Sequence, residues 1–452
     1  MFRRIVLFVA AAGIAALAGC SGSGTAGSGA VPLAGGEGAP GSIPSTAAFG
    51  KISHVVVIVQ ENRSFDNLFY GYPGADTATA GTTSSGATVA LHPVTFTENY
   101  DLSHELVDYV RSYNGGAMNG FDRGSTGPLG GTGGIAGVPP DPQYAYVEPA
   151  ETATYRTLAA NYVLADRFFP SQVDSSFTAH QYLIAAQAGG TVDNPLLGIP
   201  WGCDSAPGNL VPTLLANRTD GPGVTPCFTY TTLGDELDAA GVSWRYYAPA
   251  IGGDVGEIWS AYDAIKGIRY GPDWTKNVIS PPSKALTDIA AGTLAGVTWI
   301  VPDLVDSDHP ASNSTSGPDW VASIVDAVGA SPYWKSTAIV VFWDDWGGWY
   351  DHVAPPQMGP GGLGFRTPAL VISPYAKRGY VTHVQFETGS IDRTIEGIFG
   401  IPTLSAADSR AVTLDDCFDF SQTPRPFSTV RLRRPLFELL HRAPSKLPPD
   451  TD

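Results

Sequence analysis

Residues 54–66 read HVVVIVQENRSFD, a run of five apolar, mostly β-branched residues followed at once by polar ones. A run this short and without alternation predicts a strand buried on both faces, as in a parallel sheet covered by helices. It is too short to span a membrane. Ligands of open parallel sheets bind just past the carboxyl ends of the strands. Glu61 and Asn62 follow the strand there, so we predict that they form half of an active site.

The second half of the predicted site is residues 342–353, FWDDWGGWYDHV, where acids again follow an apolar run. The adjacent carboxylates of Asp344 and Asp345 repel each other unless a cation is shared between them. The glycines allow close approach of the backbone to a ligand. With Glu61 and Asn62, these residues form an oxygen-rich set that suits one hard divalent metal ion. A solvated turn or a helix cap is the alternative interpretation of Asp344 and Asp345.

A candidate nucleophile lies in residues 174–187, DSSFTAHQYLIAAQ, which are predicted to form a helix. Ser176 is placed near its N-terminus, where the helix dipole and free N–H groups favour an alkoxide and an incoming phosphate. A bound metal would lower the pKa of the hydroxyl further. Plain N-capping by Ser176 is the alternative role, and Ser175 is the alternative nucleophile.

The chain contains eight histidines, and three of them lie in polar loops rich in Asp. His104, His309 and His352 are therefore candidates for holding phosphate oxygens or protonating a leaving group. For each one alone, a surface position without function is the alternative. We assign structural roles to His54, at the start of a strand, and to His180, inside a helix.

Charge and the N-terminal segment limit the classes of function. The net charge of −17 argues against nucleic-acid binding, which requires a basic surface. An acidic protein that binds an anionic phosphate needs a metal or local positive charge. Residues 1–19 have a basic start and an apolar stretch typical of a signal peptide. Cys20 follows small residues, which predicts acylation of its thiol; ordinary secretion with cleavage nearby is the alternative. Residues 20–50 are predicted to be a flexible tether.

The rest of the chain alternates between helical and strand patterns, which predicts an α/β fold with a mainly parallel sheet between helices. We expect a single domain over residues 51–442 with loop insertions, and a tail at 443–452. The exported context permits disulfides, and Cys203 and Cys227 are close enough in sequence to pair. Cys417 is then a spare, buried thiol. The predicted strands lie at 55–59, 162–169, 243–247, 296–303, 337–343 and 369–373, and the clearest helices at 174–187, 232–240, 319–328 and 390–399.

Two blocks together, ENRSFD at 61–66 and DDWGGWYDHV at 344–353, resemble the bacterial phosphoesterase family of phospholipases C and acid phosphatases. The resemblance extends over roughly residues 52–420. It implies an alkaline-phosphatase-like α/β fold. It also implies one metal ion with these residues as ligands or around the phosphate: Glu61, Asn62, Asp344, Asp345 and the nucleophile Ser176 as ligands, and His104, His309 and His352 around the phosphate.

The sequence SFTAHQ at 176–181 resembles the acid-phosphatase branch, since the phosphocholine phospholipases of the family tend to carry Thr at the nucleophile. Two departures affect substrate preference. Ala117 replaces a usual Lys, which removes a cation suited to phosphate. Trp346 stands where many members have His.

We therefore expect a metal-dependent phosphoric ester hydrolase, acting as a phosphomonoesterase through a phosphoserine. Its location is expected to be the cell envelope, periplasmic or extracellular, with membrane contact only through Cys20. The first alternative is a phospholipase C that cleaves phospholipid head groups, for which Trp343, Trp346 and Trp349 could line an apolar approach. The second is a non-catalytic surface lipoprotein that binds carbohydrate or a host partner.

Overall fold

The computed structural model describes residues 49–128, 135–252, 255–358 and 361–443, together with 445 and 447. Residues 1–48, which contain the predicted signal peptide, the acylation site Cys20 and nearly all of the tether, lie outside this part, as does most of the predicted tail. No helix of the described part combines the length and the apolar character that a membrane span requires.

The opening run forms a central strand of a nine-stranded sheet, and its five apolar residues are buried. It pairs in parallel with a strand on each side, which explains the absence of alternation. In chain order the strands of the sheet are β1 (His54–Gln60), β2 (Val163–Phe169), β3 (Trp244–Tyr247), β4 (Val278–Ile279), β5 (Val297–Ile300), β6 (Thr337–Trp343), β7 (Thr367–Ile372), β8 (Tyr380–Thr382) and β9 (Phe386–Glu387).

The strand order is β4-β3-β5-β1-β6-β7-β2-β8, with β9 also paired to β2. All described pairings in this sheet are parallel except those of β7, which runs antiparallel to both β6 and β2. The predicted α/β class with a mainly parallel sheet is therefore confirmed. Three two-stranded ribbons lie outside the sheet: Ala80–Thr82 with Thr88–Ala90, His92–Val94 with Ala145–Val147, and Asp101–Leu102 with Thr126–Gly127.

The helices that matter for the site follow the strands or pack beside them. Helix α9 packs against β6, and α4 packs against α10. The described helices are α1 (Phe65–Phe69), α2 (Leu106–Tyr113), α3 (Ala153–Asn161), α4 (Ser176–Ala185), α5 (Leu233–Ala239), α6 (Lys266–Arg269), α7 (Pro272–Asn277), α8 (Lys284–Ala290), α9 (Gly317–Ala330), α10 (Thr388–Phe399), α11 (Ala406–Arg410) and α12 (Leu436–Leu440).

The insertion between α4 and α5 is closed by a disulfide between Cys203 and Cys227, as the sequence predicts. Cys417 is a free and buried thiol, also as expected. A disulfide stabilises a loop of this kind mainly by restricting the unfolded chain. The cross-link therefore limits the conformations of the loop over residues 203–227.

Candidate active site

The two predicted halves of the site meet at the carboxyl ends of β1 and β6. These strands are neighbours in register, with Gln60 opposite Trp343, so the residues that follow them leave the sheet side by side. The backbone N–H of Asn62 donates to Oδ1 of Asp344 (3.0 Å). The side chains of Glu61, Asp344 and Asp345 are buried as well. The structure thus brings together the four residues that the sequence predicts as metal ligands.

Close approach of the two loops requires a glycine after β6. Gly347 has a φ of +58°, and a Cβ at this position would lie 2.1 Å from the carbonyl oxygen of Asn62. Asn62 itself has a φ of 57°, in the left-handed region that Asn tolerates better than most residues. The glycine in this loop therefore makes room for the chain's own backbone.

Helix α4 brings the candidate nucleophile to the same place. The hydroxyl of Ser176, the first residue of α4, donates to Oδ2 of Asp345 (3.4 Å). Ser175 occupies the cap position with a φ of 45°, and its side chain makes no capping hydrogen bond. The N–H of Phe177 instead donates to Oδ1 of Asn194 (3.0 Å). The Ser176 hydroxyl contacts the acids and does not cap the helix.

His180 is the functional candidate that the sequence reasoning missed. It lies one helical turn after Ser176, on the same face of α4. Its Nε2 is 3.2 Å from Oε1 of Glu61 and 3.8 Å from Oδ2 of Asp344. Burial lowers the pKa of His180 to about 4, against the opposing effect of Asp344. The imidazole is therefore neutral at neutral pH and can act as a metal ligand. The spacing of four residues from Ser176 could have identified it.

His104 fixes the orientation of Asn62. Its Nδ1 donates to the carbonyl of Leu102 (3.0 Å), so Nε2 can accept the hydrogen bond from the Asn62 amide nitrogen (2.9 Å). This arrangement leaves Oδ1 of Asn62 as the atom available to a ligand. Nε2 of His104 also lies 3.6 Å from Oδ2 of Asp345.

His309 is fully buried, and its ring is stacked on Trp259 with the ring centroids 5.9 Å apart. Its Nδ1 donates to the carbonyl oxygen of Pro310 (2.7 Å). Burial and the charge of Asp344 raise the pKa of Asp345 to about 7, while His104 and His309 act in the opposite direction. A charged His309 would thus favour the ionised form of Asp345.

We name this group of residues the strand-end cluster: Glu61, Asn62, Ser176, His180, Asp344 and Asp345. Its chemistry fits a divalent cation. Ligand atoms of Glu61, His180 and Asp344 lie within 4.8 Å of one another. Oδ1 of Asn62 and Oδ2 of Asp344 are buried without a hydrogen-bond partner among the described residues. No Lys or Arg of the described part forms an ion pair with Asp344 or Asp345. Buried oxygens without partners are costly unless a cation binds them.

His352 lies in a different environment. Its Nδ1 contacts Oδ2 of Asp66 (2.6 Å), and its Nε2 contacts Oδ1 of Asp76 (3.1 Å). Arg366 is fully buried beside them and binds both carboxylate oxygens of Asp351 (2.9 and 3.0 Å). We name Asp66, Asp76, Asp351, His352 and Arg366 the arginine-centred cluster. The contacts of His352 within the described residues do not reach Ser176 or the acids beside it.

The aromatic residues of the 342–353 block do not line an approach to the site, which corrects that expectation. Trp343, Trp346 and Trp349 are all buried. The indole N–H of Trp343 donates to Oδ2 of Asp308 (3.0 Å), and Trp346 packs against Phe365 with centroids 4.7 Å apart. They serve the core because the loop after β6 turns inward.

Comparison with known proteins identifies the family of the chain. Phospholipase C B of Mycobacterium tuberculosis is 27% identical over an alignment of 478 positions. The alignment covers 91% of this chain and 86% of that protein. Non-hemolytic phospholipase C of Pseudomonas aeruginosa is 28% identical over 77% of this chain and 54% of its own. A crystal structure of an alkaline phosphatase superfamily protein from Vibrio parahaemolyticus covers 81% of this chain and 71% of its own, with a TM-score of 0.39 and 10% identity. The Phosphoesterase family matches residues 52–402, so the chain belongs to this family and is a phosphoric ester hydrolase.

Proposed function

We propose that the protein hydrolyses phosphoric esters through a phosphoserine at Ser176, with one divalent metal ion in the strand-end cluster. The observation that carries the proposal is the position of the Ser176 hydroxyl. Ser176 is the first residue of a helix of ten residues, and its hydroxyl donates a hydrogen bond to Asp345 in a cluster whose ligand atoms suit a cation. Glu61, Asn62, His180, Asp344 and Asp345 would hold the ion, with the serine oxygen as a further ligand. When bound, the ion would lower the pKa of the serine hydroxyl and neutralise charge on the phosphoryl oxygens.

Each residue of the site has a separate role in the proposed reaction. Asp345 accepts the proton of Ser176 through their existing hydrogen bond, and the serine oxygen forms a bond to phosphorus as the ester oxygen leaves. The N-terminus of α4 faces the developing charge with its positive end. His104 holds the Asn62 amide in place. Water then attacks phosphorus and gives a proton to His309, the bond between phosphorus and the serine oxygen breaks, and the serine recovers its proton from Asp345.

His309 is the proposed proton donor to the leaving alcohol. Its Nδ1 donates to the carbonyl oxygen of Pro310, which orients the ring, and we assign the proton transfer to Nε2. Of the three histidines considered for this role, the contacts favour His309. His104 is hydrogen-bonded to the Asn62 amide, and the contacts of His352 are with Asp66 and Asp76. His352 acts in this proposal through the packing of the loop after β6.

Two substrate classes have support. The SFTAHQ sequence at 176–181 favours a phosphomonoester, by its resemblance to acid phosphatases. The names of the two relatives favour phospholipase C activity on a phosphodiester. The strand-end cluster serves either substrate, since in both reactions a serine attacks phosphorus and an alcohol leaves. The exported location and acylation at Cys20 are part of the same proposal.

Ser176→Ala tests the nucleophile, with Ser175→Ala as the matched control one residue away. We expect Ser176→Ala to lower hydrolysis at least about a thousandfold, because nothing else in the mechanism forms the covalent bond. Ser175→Ala is expected to stay within about tenfold of the parent. Each protein is assayed on a soluble phosphomonoester and on phosphatidylcholine, with metal analysis of the purified protein.

Acid quenching of the parent during turnover, followed by peptide mass spectrometry, should place a phosphate on Ser176. Full activity of Ser176→Ala, or a phosphate on another residue, would contradict the proposal. The ratio of the two activities in the parent decides between the phosphomonoesterase and the phospholipase C.

A further inference from the structure

An exposed apolar loop follows directly from the candidate active site. Residues 195–200 read PLLGIP and contain no charged side chain and no side-chain hydrogen-bond donor. Leu196, Leu197 and Ile199 are 66%, 64% and 41% exposed. Leucines this exposed are unusual as a contiguous set on a soluble protein, and such sets mark binding surfaces. We call this segment the 195–200 loop.

The loop is tied to the site at its first end. Asn194, which precedes it, accepts the hydrogen bond of the Phe177 N–H, one residue after the proposed nucleophile (3.0 Å). The carboxylate of Asp193 accepts from the N–H of Leu106 (2.7 Å), two residues after His104. The exposed leucines therefore begin two residues after Asn194, which is hydrogen-bonded to the first turn of α4.

The conformation of the loop is held by a buried amide. Asn209 accepts from the N–H of Leu197 (2.9 Å) and donates to the carbonyl oxygens of Gly198 (3.0 Å) and Pro200 (3.4 Å). The N–H of Leu196 donates to the carbonyl oxygen of Leu210 (3.0 Å). Asn209 and the backbone of Leu210 thus satisfy polar backbone groups of the loop. The apolar side chains are therefore presented to solvent by a fixed scaffold.

We propose that the 195–200 loop inserts into a zwitterionic lipid surface and so brings the strand-end cluster to the phosphates of that surface. The inference rests on the proposed function and adds how its substrate is presented. The three side chains offer on the order of 300 Å² of apolar surface, well below the roughly 800 Å² per partner of a stable protein interface. Insertion into lipid needs no matching partner surface and scales with the apolar area buried.

Charge selects the kind of lipid. The net charge of the chain is −17, so the protein gains no general attraction to an anionic membrane. Docking must then depend on the apolar side chains themselves, which a zwitterionic surface accommodates without repulsion. A loop without charged residues is consistent with that choice.

Sedimentation with phosphatidylcholine vesicles tests the proposal. The full chain carries Cys20→Ala, so that acylation at that residue cannot contribute, and Ser176→Ala, so that the lipid stays intact. We compare this parent with a version that also carries Leu196→Ser and Leu197→Ser. Phe437→Ser is the matched control, because Phe437 is equally exposed (68%) but lies in α12. We expect partitioning to fall at least about tenfold in the double leucine variant and to stay within about twofold in the control.

The same substitutions in the active chain separate this inference from the proposed function. Hydrolysis of a water-soluble phosphodiester or phosphomonoester should stay within about twofold, while hydrolysis of phosphatidylcholine vesicles falls about tenfold. A parent without esterase activity would contradict the proposed function and leave the vesicle result to be judged alone. The inference is overturned if the parent does not bind vesicles, or if the double leucine variant binds them as well as the parent does. It is equally overturned if Phe437→Ser lowers binding as much as the double leucine substitution. It is also overturned if the leucines prove to mediate self-association, with light scattering showing a dimer that the double variant loses.

Discussion

The strand-end cluster and the arginine-centred cluster are built from the same materials at the ends of the same two strands. Glu61 and Asp66 both follow β1, and Asp344 and Asp351 both follow β6. In each cluster two carboxylates and a histidine offer ligand atoms within 4.8 Å of one another. By composition alone, either group could be taken for the metal site.

The difference is Arg366. Its guanidinium binds both oxygens of Asp351 and lies 3.6 Å from Oδ1 of Asp66, so the second cluster contains its own cation. In the strand-end cluster, Asp344 and Asp345 have no such partner in the described part, and His180 is neutral at neutral pH. A buried group of acids without an internal cation must take one from solution or bind protons. The presence of one arginine thus separates an ion-pair network from a candidate metal site.

Asp344→Asn is the sharpest way to break this comparison. The amide oxygen can still accept the Asn62 N–H, so the fold is preserved, but a negative ligand is lost. We expect hydrolysis of a soluble ester to fall at least about a thousandfold, because metal-assisted activation of the serine is lost. Bound metal should fall in parallel, while the free energy of unfolding of the metal-free protein stays equal or rises. Retention of both metal and activity would show that the cluster is not the metal site.

The sequence predicted the frame of the fold well because the decisive strands are short, continuous and apolar. The extents predicted for β1 and β6 differ from the observed strands by no more than a residue at each end. The direction of β7 could not be predicted, since a strand buried on both faces looks the same whether it pairs in parallel or antiparallel. The short helices between residues 266 and 290 contain too few turns to show a helical period.

For the site, the same logic found the residues that directly follow strands and missed those that depend on distant partners. Glu61 and Asp344 were predicted because parallel strands bring their carboxyl ends to one edge. His180 required the observation that it shares a helical face with Ser176. The grouping of His352 with Asp66 depends on a contact between residues 286 positions apart, and no local pattern indicates it.

Asp351→Asn is the matched counterpart, since it makes the same change in the other cluster. This substitution is expected to lower stability rather than activity, because the buried Arg366 keeps its charge and loses its bidentate partner. We expect the free energy of unfolding to fall by about 3 kcal/mol, measured by urea denaturation. Metal content should be unchanged, and activity of the folded fraction should stay within about tenfold. A large loss of metal with little loss of stability would reverse the roles that we assign to the two clusters.

The smallest expected effect is the pH dependence that His352 gives the arginine-centred cluster. Burial opposes protonation, but the hydrogen bond to Asp66 and the charges of Asp66 and Asp351 outweigh it and raise the pKa of His352 to about 9 from an ordinary value of 6.5. Because the folded-state pKa is raised, the stabilisation is complete below pH 6.5 and is lost as the pH rises through about 9. After allowance for solvent screening of this partly exposed ring, it amounts to about 1.5 kcal/mol. The free energy of unfolding of His352→Gln should therefore lie below that of the parent at pH 6, and the gap should close by about pH 10. A gap that stays constant across this range would show that His352 acts by packing alone, and the charge balance attributed to the arginine-centred cluster would then rest on Arg366.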